Sequence, residues 1–239
     1  MDNFNFGTRR DVTGFDAGLQ SFFKQTYSYM GIALLVTALT GFIVERFFLA
    51  QIYTLIYGNM FGSIALIGVQ FLVLFMIGRN AVKNPASAFG LLMLFSVMEG
   101  LTTGILLAIY TSSSILVAFL SAAAVFAAMA FYGMFTKKSL AGLGAPLFGL
   151  VIGLIVASLI NLFFPNGIMQ FFISAAGVVI FSLYTAYDNN MLKQMYFQFA
   201  GNGQATQGLA ISGALSLYLD FINLFFSLLQ LLGNFQSRD

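Results

Sequence analysis

Three acidic side chains, Glu99, Asp188 and Asp220, lie deep inside long apolar stretches of this 239-residue sequence. An ionisable group in hydrocarbon costs on the order of 3 kcal/mol, so such residues generally face the interior of a helix bundle and mark proton or ion pathways. The chain contains neither histidine nor cysteine. Imidazole and thiolate metal sites, cysteine nucleophiles and Ser-His-Asp triads are therefore excluded. Any pH response near neutrality must come from carboxyl groups, because the usual imidazole switch is missing.

The two aspartates are predicted to meet across a helical hairpin. The midpoint between positions 188 and 220 falls in the segment Gly201–Gln204, which has the composition of a flexible turn. In an antiparallel hairpin this places Asp188 and Asp220 at about the same height, on helix axes about 8 to 10 Å apart. Two carboxyl groups in contact at low dielectric are expected to share one proton and to titrate in two steps.

Polar residues form a stripe along the last apolar stretch. At about 100° per residue its members fall within an arc of roughly 80°; they are Ser212, Ser216, Asp220, Asn223, Ser227 and Gln230. One face of the preceding stretch carries Ser174, Gly177, Thr185 and Asp188. We expect the stripe to line an aqueous or ion-conducting cavity; the alternative is hydrogen bonding between helices.

The third acid belongs to a different stretch. Glu99 shares one helix face with Ser96 and Thr103. It could form a third wall of the same cavity, or it could be a protonated acid hydrogen-bonded to a neighbouring side chain. The residues leave both interpretations open.

The elements that must position these acids are membrane helices. Apolar residues make up 59% of the chain and charged residues 8%, with a mean hydropathy of +0.91. A spanning helix needs about 20 apolar residues, and seven such runs occur: Thr26–Phe48, Phe61–Gly78, Ala86–Tyr110, Ser114–Phe135, Leu147–Phe164, Ile168–Leu192 and Leu209–Leu232. The runs are unbroken rather than alternating, which argues against a β-barrel. The sequence predicts an all-α integral membrane protein with seven transmembrane helices.

The polar ends of the chain complete the predicted organisation. Residues 1–25 are expected to form a cytoplasmic tail, residues 26–234 the transmembrane domain and residues 235–239 a C-terminal tail. With the N-terminus inside, only Arg46 and Arg238 of the ten basic residues fall outside, as the positive-inside rule requires.

The net charge of +2 gives no reason to expect nucleic acid as a partner. The expected location is a bacterial plasma membrane, with the lipid bilayer as the main surroundings.

Two segments carry a resemblance to a known family. The sequences FSLYTAYD at residues 181–188 and ALSLYLDFINLF at residues 214–225 closely resemble the last two helices of the Bax inhibitor-1 (transmembrane Bax inhibitor motif) family, in particular its bacterial branch. The segment from Gly100 to Thr102 and the number of spans agree with that family. The resemblance covers essentially the whole chain.

The resemblance implies a fold in which six helices surround a central C-terminal helix, and a pH-sensitive calcium leak as the activity. It assigns Asp188 and Asp220 as the pH sensor and gate, with transient contacts to the permeating Ca²⁺, and Arg79 as the nearest match to a basic latch. Together with the stripe, this makes Ser212, Ser216, Asn223 and Glu99 candidates for lining the pore or cavity. No cofactor is expected, and a monomer is favoured.

Two other classes of protein compete with this interpretation. A non-conducting regulatory protein could bind a membrane protease or a stress or cell-death partner, as relatives of the resembled family are associated with both. An intramembrane aspartyl protease also pairs aspartates on adjacent helices. Such enzymes carry Gly-x-Gly-Asp at the second acid, whereas residues 217–220 read Leu-Tyr-Leu-Asp. We therefore expect no enzymatic activity.

Overall fold

The computed structural model describes residues 17–58, 60–199 and 201–236. These residues form eight α-helices: α1 Ala17–Ile43, α2 Leu49–Tyr57, α3 Met60–Asn80, α4 Pro85–Leu107, α5 Ser112–Phe135, α6 Gly144–Phe163, α7 Gly167–Phe199 and α8 Gly203–Gln236. A π-helical turn, Val44–Phe48, joins α1 to α2, and a 3₁₀ turn, Ala141–Leu143, precedes α6. No strand occurs in the described residues.

Seven helical segments in the described part of the chain are long and apolar enough to cross a bilayer. The first combines α1, the π-helical turn and most of α2 over 40 residues, and the other six correspond to α3 through α8. The prediction of an all-α protein with seven transmembrane helices is therefore confirmed.

The first helix begins earlier than the sequence predicts. It starts at Ala17, so residues 17–25 of the predicted tail are helical. Leu19, Phe22 and Phe23 recur at helical spacing and are buried, and the Phe22 ring lies 5.2 Å from that of Tyr196 on α7. Mean hydropathy misses residues 17–25 because polar side chains on one face of the helix offset the buried apolar side chains on the other. Residues 1–16 and 237–239 of the predicted tails lie outside the described residues.

Helix α8 contains much of the protein core. Leu217, Tyr218, Leu224 and Leu229 are fully buried, and α8 contacts α1, α3, α4, α5 and α7. Helix α6 instead packs mainly on α7. The expected ring of six helices around a central C-terminal helix is therefore not confirmed in full.

Helix α4 approaches α1 closely because of two glycines. A Cβ atom at Gly100 would meet Cβ of Thr40 at 2.5 Å, and one at Gly104 would meet Cβ of Val44 at 2.7 Å. Small residues in this spacing let membrane helices pack backbone to backbone. This contact fixes α1 and α4 as one unit beside α8.

Three consecutive polar residues attach α7 to three different neighbours. Because successive helical residues point about 100° apart, Asp188, Asn189 and Asn190 face different sides. Asn189 Oδ1 accepts a 2.5 Å hydrogen bond from the Tyr27 hydroxyl on α1. Asn190 Oδ1 accepts from Leu140 N at 2.9 Å, and its Nδ2 donates to Gly133 O of α5 at 3.2 Å. Asp188 faces α8.

Lys193 reinforces the attachment of α7 to α5. Its Nζ donates to Met134 O at 2.8 Å and to Thr136 O at 3.0 Å, at the C-terminal end of α5. A cation stabilises this end of a helix because the last carbonyl groups carry partial negative charge. The α5–α6 connection is therefore held to α7 from two positions.

We predict that Asn190→Ala destabilises the protein by about 2 kcal/mol, because Leu140 N–H and Gly133 C=O lose a buried partner. The midpoint of thermal unfolding of the detergent-solubilised chain should fall by roughly 5 °C. The matched control is Gln198→Ala, which removes an exposed amide from the same helix and should leave the midpoint unchanged. Equal midpoints for both variants would contradict the structural role of Asn190.

Candidate functional site

The polar stripe of α8 lies against α7. Gln230 Oε1 accepts hydrogen bonds from Gln170 Nε2 at 2.6 Å and from Ser174 Oγ at 3.3 Å. Further along the helices, a Cβ atom at Gly177 would collide with Ser227 Oγ. Asp188 and Ser216 are joined by a side-chain hydrogen bond. The two polar faces identified in the sequence therefore form one interface.

Asp188 and Asp220 lie close enough at this interface for the charge of one to act on the other. Asp188 is half-buried and accepts the hydrogen bond of the Ser216 hydroxyl. Asp220 is only 5% exposed, and its buried Oδ2 has no hydrogen-bond partner among the described residues. The Tyr184 phenol lies within electrostatic reach of both acids. An unpaired carboxyl oxygen in an apolar core is uncommon and needs an explanation.

The two aspartates differ in height, and here the expectation from the sequence requires correction. Gly177 faces Ser227, and Asp188 faces Ser216. In this antiparallel register the residue of α7 opposite Asp220 is Tyr184. Tyr184 lies one helical turn, or about 6 Å, from Asp188 along α7. The reason lies in the hairpin tip. Helix α7 continues to Phe199 and α8 starts at Gly203, so the chain reverses between these two residues. The tip uses Gly201 at φ 104°, a conformation open to glycine.

One end of the interface is closed by a chain of amides. Asn161 Nδ2 of α6 donates to Gln170 Oε1 at 2.7 Å, and Gln170 in turn donates to Gln230. Reasoning from the sequence missed Asn161 and Gln170. Amide side chains within apolar helices are the signal that could have identified them, since such groups pair with one another in membranes.

The remaining stripe residues are half-buried or bonded to their own helix. Asn223 Nδ2 donates to Leu219 O at 2.8 Å, and Ser227 Oγ donates to Asn223 O at 2.7 Å. Ser212 lies half-buried on the same face, two turns before Asp220. The structure thus shows helix–helix contact along this stripe, which is a closed arrangement.

The described residues contain no group of three or more acidic side chains that could hold a metal ion. Ca²⁺ takes six to eight oxygen ligands, and two carboxyl groups supply at most four. The two aspartates therefore supply too few ligands for a complete Ca²⁺ site, but they can offer some oxygen ligands to a passing cation. The predicted transient contact of Asp188 and Asp220 with Ca²⁺ remains a prediction.

Glu99 is not brought together with the two aspartates. Its Oε2 accepts from Gln70 Nε2 of α3 at 3.1 Å, and it lies within electrostatic reach of Tyr218. Tyr218 and Asp220 are about 200° apart on α8, so they occupy opposite faces. The structure matches the interpretation of Glu99 as an acid bonded to a neighbour.

Tyr218 belongs to a separate polar contact. Thr37 Oγ1 of α1 donates to Ser96 O of α4 at 3.0 Å, and therefore accepts from the Tyr218 hydroxyl at 2.7 Å. Helix α8 is thus bonded to α1 on this face and to α7 on the other.

Arg79 lies at the end of α3, exposed to the surroundings. Its guanidinium carbon is 5.5 Å from the centroid of the Phe75 ring on the same helix. This contact does not join Arg79 to either aspartate. Its assignment as a latch remains a prediction.

Seven membrane-spanning helices with an acid pair between the last two define a polytopic membrane protein. The family model described as "Inhibitor of apoptosis-promoting Bax1" matches residues 19–237. The chain belongs to this family, the Bax inhibitor-1 family.

Similar proteins occur in several bacteria. An uncharacterized membrane protein of Streptococcus pyogenes serotype M1 is 37% identical over 218 residues, which cover 91% of this chain and 94% of that protein. The inner membrane protein YbhL of Escherichia coli K12 is 36% identical over 220 residues, covering 91% and 93%. A protein of Rickettsia prowazekii is 36% identical over 220 residues, covering 92% of each. These names support a membrane location.

We predict that Gly177→Ala loosens the interface between α7 and α8, because the added methyl group collides with Ser227 Oγ. Overpacking of this kind costs about 1–3 kcal/mol. Adding Ser227→Gly should recover most of the loss, which a double-mutant cycle of thermal stability would measure. Independent, additive effects of the two substitutions would show that the helices do not meet at this point.

Proposed function

We propose that this protein is a pH-sensitive calcium leak of the bacterial plasma membrane, oriented with its N-terminus in the cytoplasm and gated by Asp188 and Asp220. The observation that carries the proposal is the unpaired Oδ2 of Asp220 in the core, beside a second carboxyl group. Intramembrane acids of this kind occur typically in ion and proton pathways.

The charge state of the pair sets the force between α7 and α8. With one proton bound, the pair carries a single negative charge, and the Asp188–Ser216 hydrogen bond holds the helices together. With both groups ionised, two negative charges repel each other in a medium that screens them poorly. Deprotonation therefore separates the helices and opens the path.

The opened path runs along the stripe of α8. Ser212, Ser216 and Asn223 would offer hydroxyl and amide oxygens, which suit hard cations such as Ca²⁺. The amide contact between Gln170 and Gln230 must break for an ion to pass. Ca²⁺ is the permeating ion here, so the mechanism needs no resident cofactor and no catalytic group. Arg79 would act as the latch at the end of α3.

A second candidate function is a non-conducting regulator that binds a membrane protease or a stress or cell-death partner. The packing of the α8 stripe against α7 favours this second function, because contact between the two helices accounts for the polar residues without an ion pathway. The description of the matching family also names inhibition of an apoptosis-promoting protein. Both candidates place a monomer in the bilayer.

Flux measurements test the proposed function. We expect purified protein in liposomes loaded with a calcium dye to admit Ca²⁺ faster at alkaline than at acidic pH. Asp188→Asn and Asp220→Asn should each abolish this pH dependence, because a pair with one neutral amide cannot carry two charges. The matched control is Glu99→Gln, which neutralises an intramembrane acid of α4 that lies on the side of α8 away from the aspartates, and it should keep the pH dependence.

Three results would contradict parts of the proposal. Equal, pH-independent leak in the wild type and both aspartate variants would remove the gating role. Loss of the pH response in Glu99→Gln alone would move the sensor to the other face of α8. Flux no higher than in empty liposomes would favour the non-conducting regulator.

A further inference from the structure

A cavity of about 480 Å³ lies between α1, α4, α5 and α8, apart from the acid pair. This volume is in the range typical of small-molecule sites. Aromatic side chains form much of its wall: Phe42, Tyr110, Phe119, Phe221 and Phe225. Neither aspartate nor any residue of α7 lines it. The cavity is thus a separate feature of the bundle.

Glu45 brings one negative charge to this cavity. It lies in the π-helical turn between α1 and α2, and such turns occur often at functional sites. Its carboxylate is half-buried and has no ion pair or hydrogen bond within the described part of the chain. The neighbouring Arg46 is exposed and is not part of the cavity wall.

A second unpaired polar atom lies behind the wall of this cavity. Thr103 is 5% exposed and lines the cavity, and its buried Oγ1 has no partner among the described residues. Thr37, on the facing helix, already uses its hydroxyl in the contact with Ser96 and Tyr218. Because Oγ1 of Thr103 is itself shielded from contact, a ligand in the cavity would be held by Glu45 and the aromatic wall and not by this hydroxyl.

We propose that this cavity binds an organic cation, an ammonium-type group carrying apolar substituents. Aromatic ring faces attract cations, the apolar wall accommodates the substituents, and Glu45 supplies the opposite charge. A metal ion would not suit the site, since one carboxylate falls far short of the six to eight oxygens that Ca²⁺ takes. A lipid chain would occupy the apolar wall but leave Glu45 without a counterion.

Two ions of the same shape and opposite charge test the proposal. The purified full-length protein in detergent is titrated with tetraphenylphosphonium and, separately, with tetraphenylborate, and binding is followed by calorimetry. We expect saturable binding of the cation and at least about tenfold weaker binding of the anion. Glu45→Gln should weaken cation binding by about tenfold, as the loss of a contact with a charged group predicts.

Two further variants separate a bound ligand from partition into the detergent. Ala38 lines the cavity and is exposed, so Ala38→Trp should fill the cavity without disturbing the core and abolish binding. Arg46→Gln, the control beside Glu45, should keep the affinity within about threefold. Equal binding of both ions, or unchanged cation binding by Glu45→Gln and Ala38→Trp, would overturn the proposal and leave a lipid chain as the occupant.

Discussion

Hydrocarbon offers no water to a buried polar group, so each polar side chain inside the bundle needs a hydrogen-bond partner on its own helix or on a neighbouring one. Helix α7 shows how this constraint determines the architecture. Asn189 is bonded to Tyr27 on α1 and Asn190 to the end of α5, which fixes the rotation of α7. Asp188 is then directed at α8 and finds Ser216. The helix cannot turn or slide without leaving several of these groups unpaired.

Asp220 and Thr103 are the exceptions to this pattern among the described residues, and the position of Asp220 is a consequence of the same contacts. The hydroxyl of Ser216 is bonded to Asp188, so it does not serve Asp220 one turn further along. Natural proteins break a local rule chiefly where function requires it. Asp220 is buried, unpaired and next to another acid, and under the proposed function it would be the group whose protonation controls the contact between α7 and α8.

Much of the fold could be predicted from the sequence, but less of the site. Hydropathy identifies the spans because a bilayer requires long apolar runs, and helical period identifies which residues share a face. Neither fixes how two helices are placed relative to each other. The one-turn offset of Asp188 and Asp220 depends on the length of the turn at Gly201. The place of Glu99, on the far side of α8 beside Gln70, depends on which helix packs there.

The two faces of α8 bear on how the proposed opening would proceed. On one face Tyr218 is bonded to Thr37 of α1, which is itself bonded to α4. On the other face the contact with α7 includes the two aspartates as well as the hydrogen bond between Gln170 and Gln230. Repulsion between the acids acts only on this second face, and α6 packs mainly on α7. Under the proposed function, α6 and α7 would therefore move together, away from a unit of α1, α4 and α8 that stays assembled, and this movement would break the hydrogen bond between Tyr27 and Asn189.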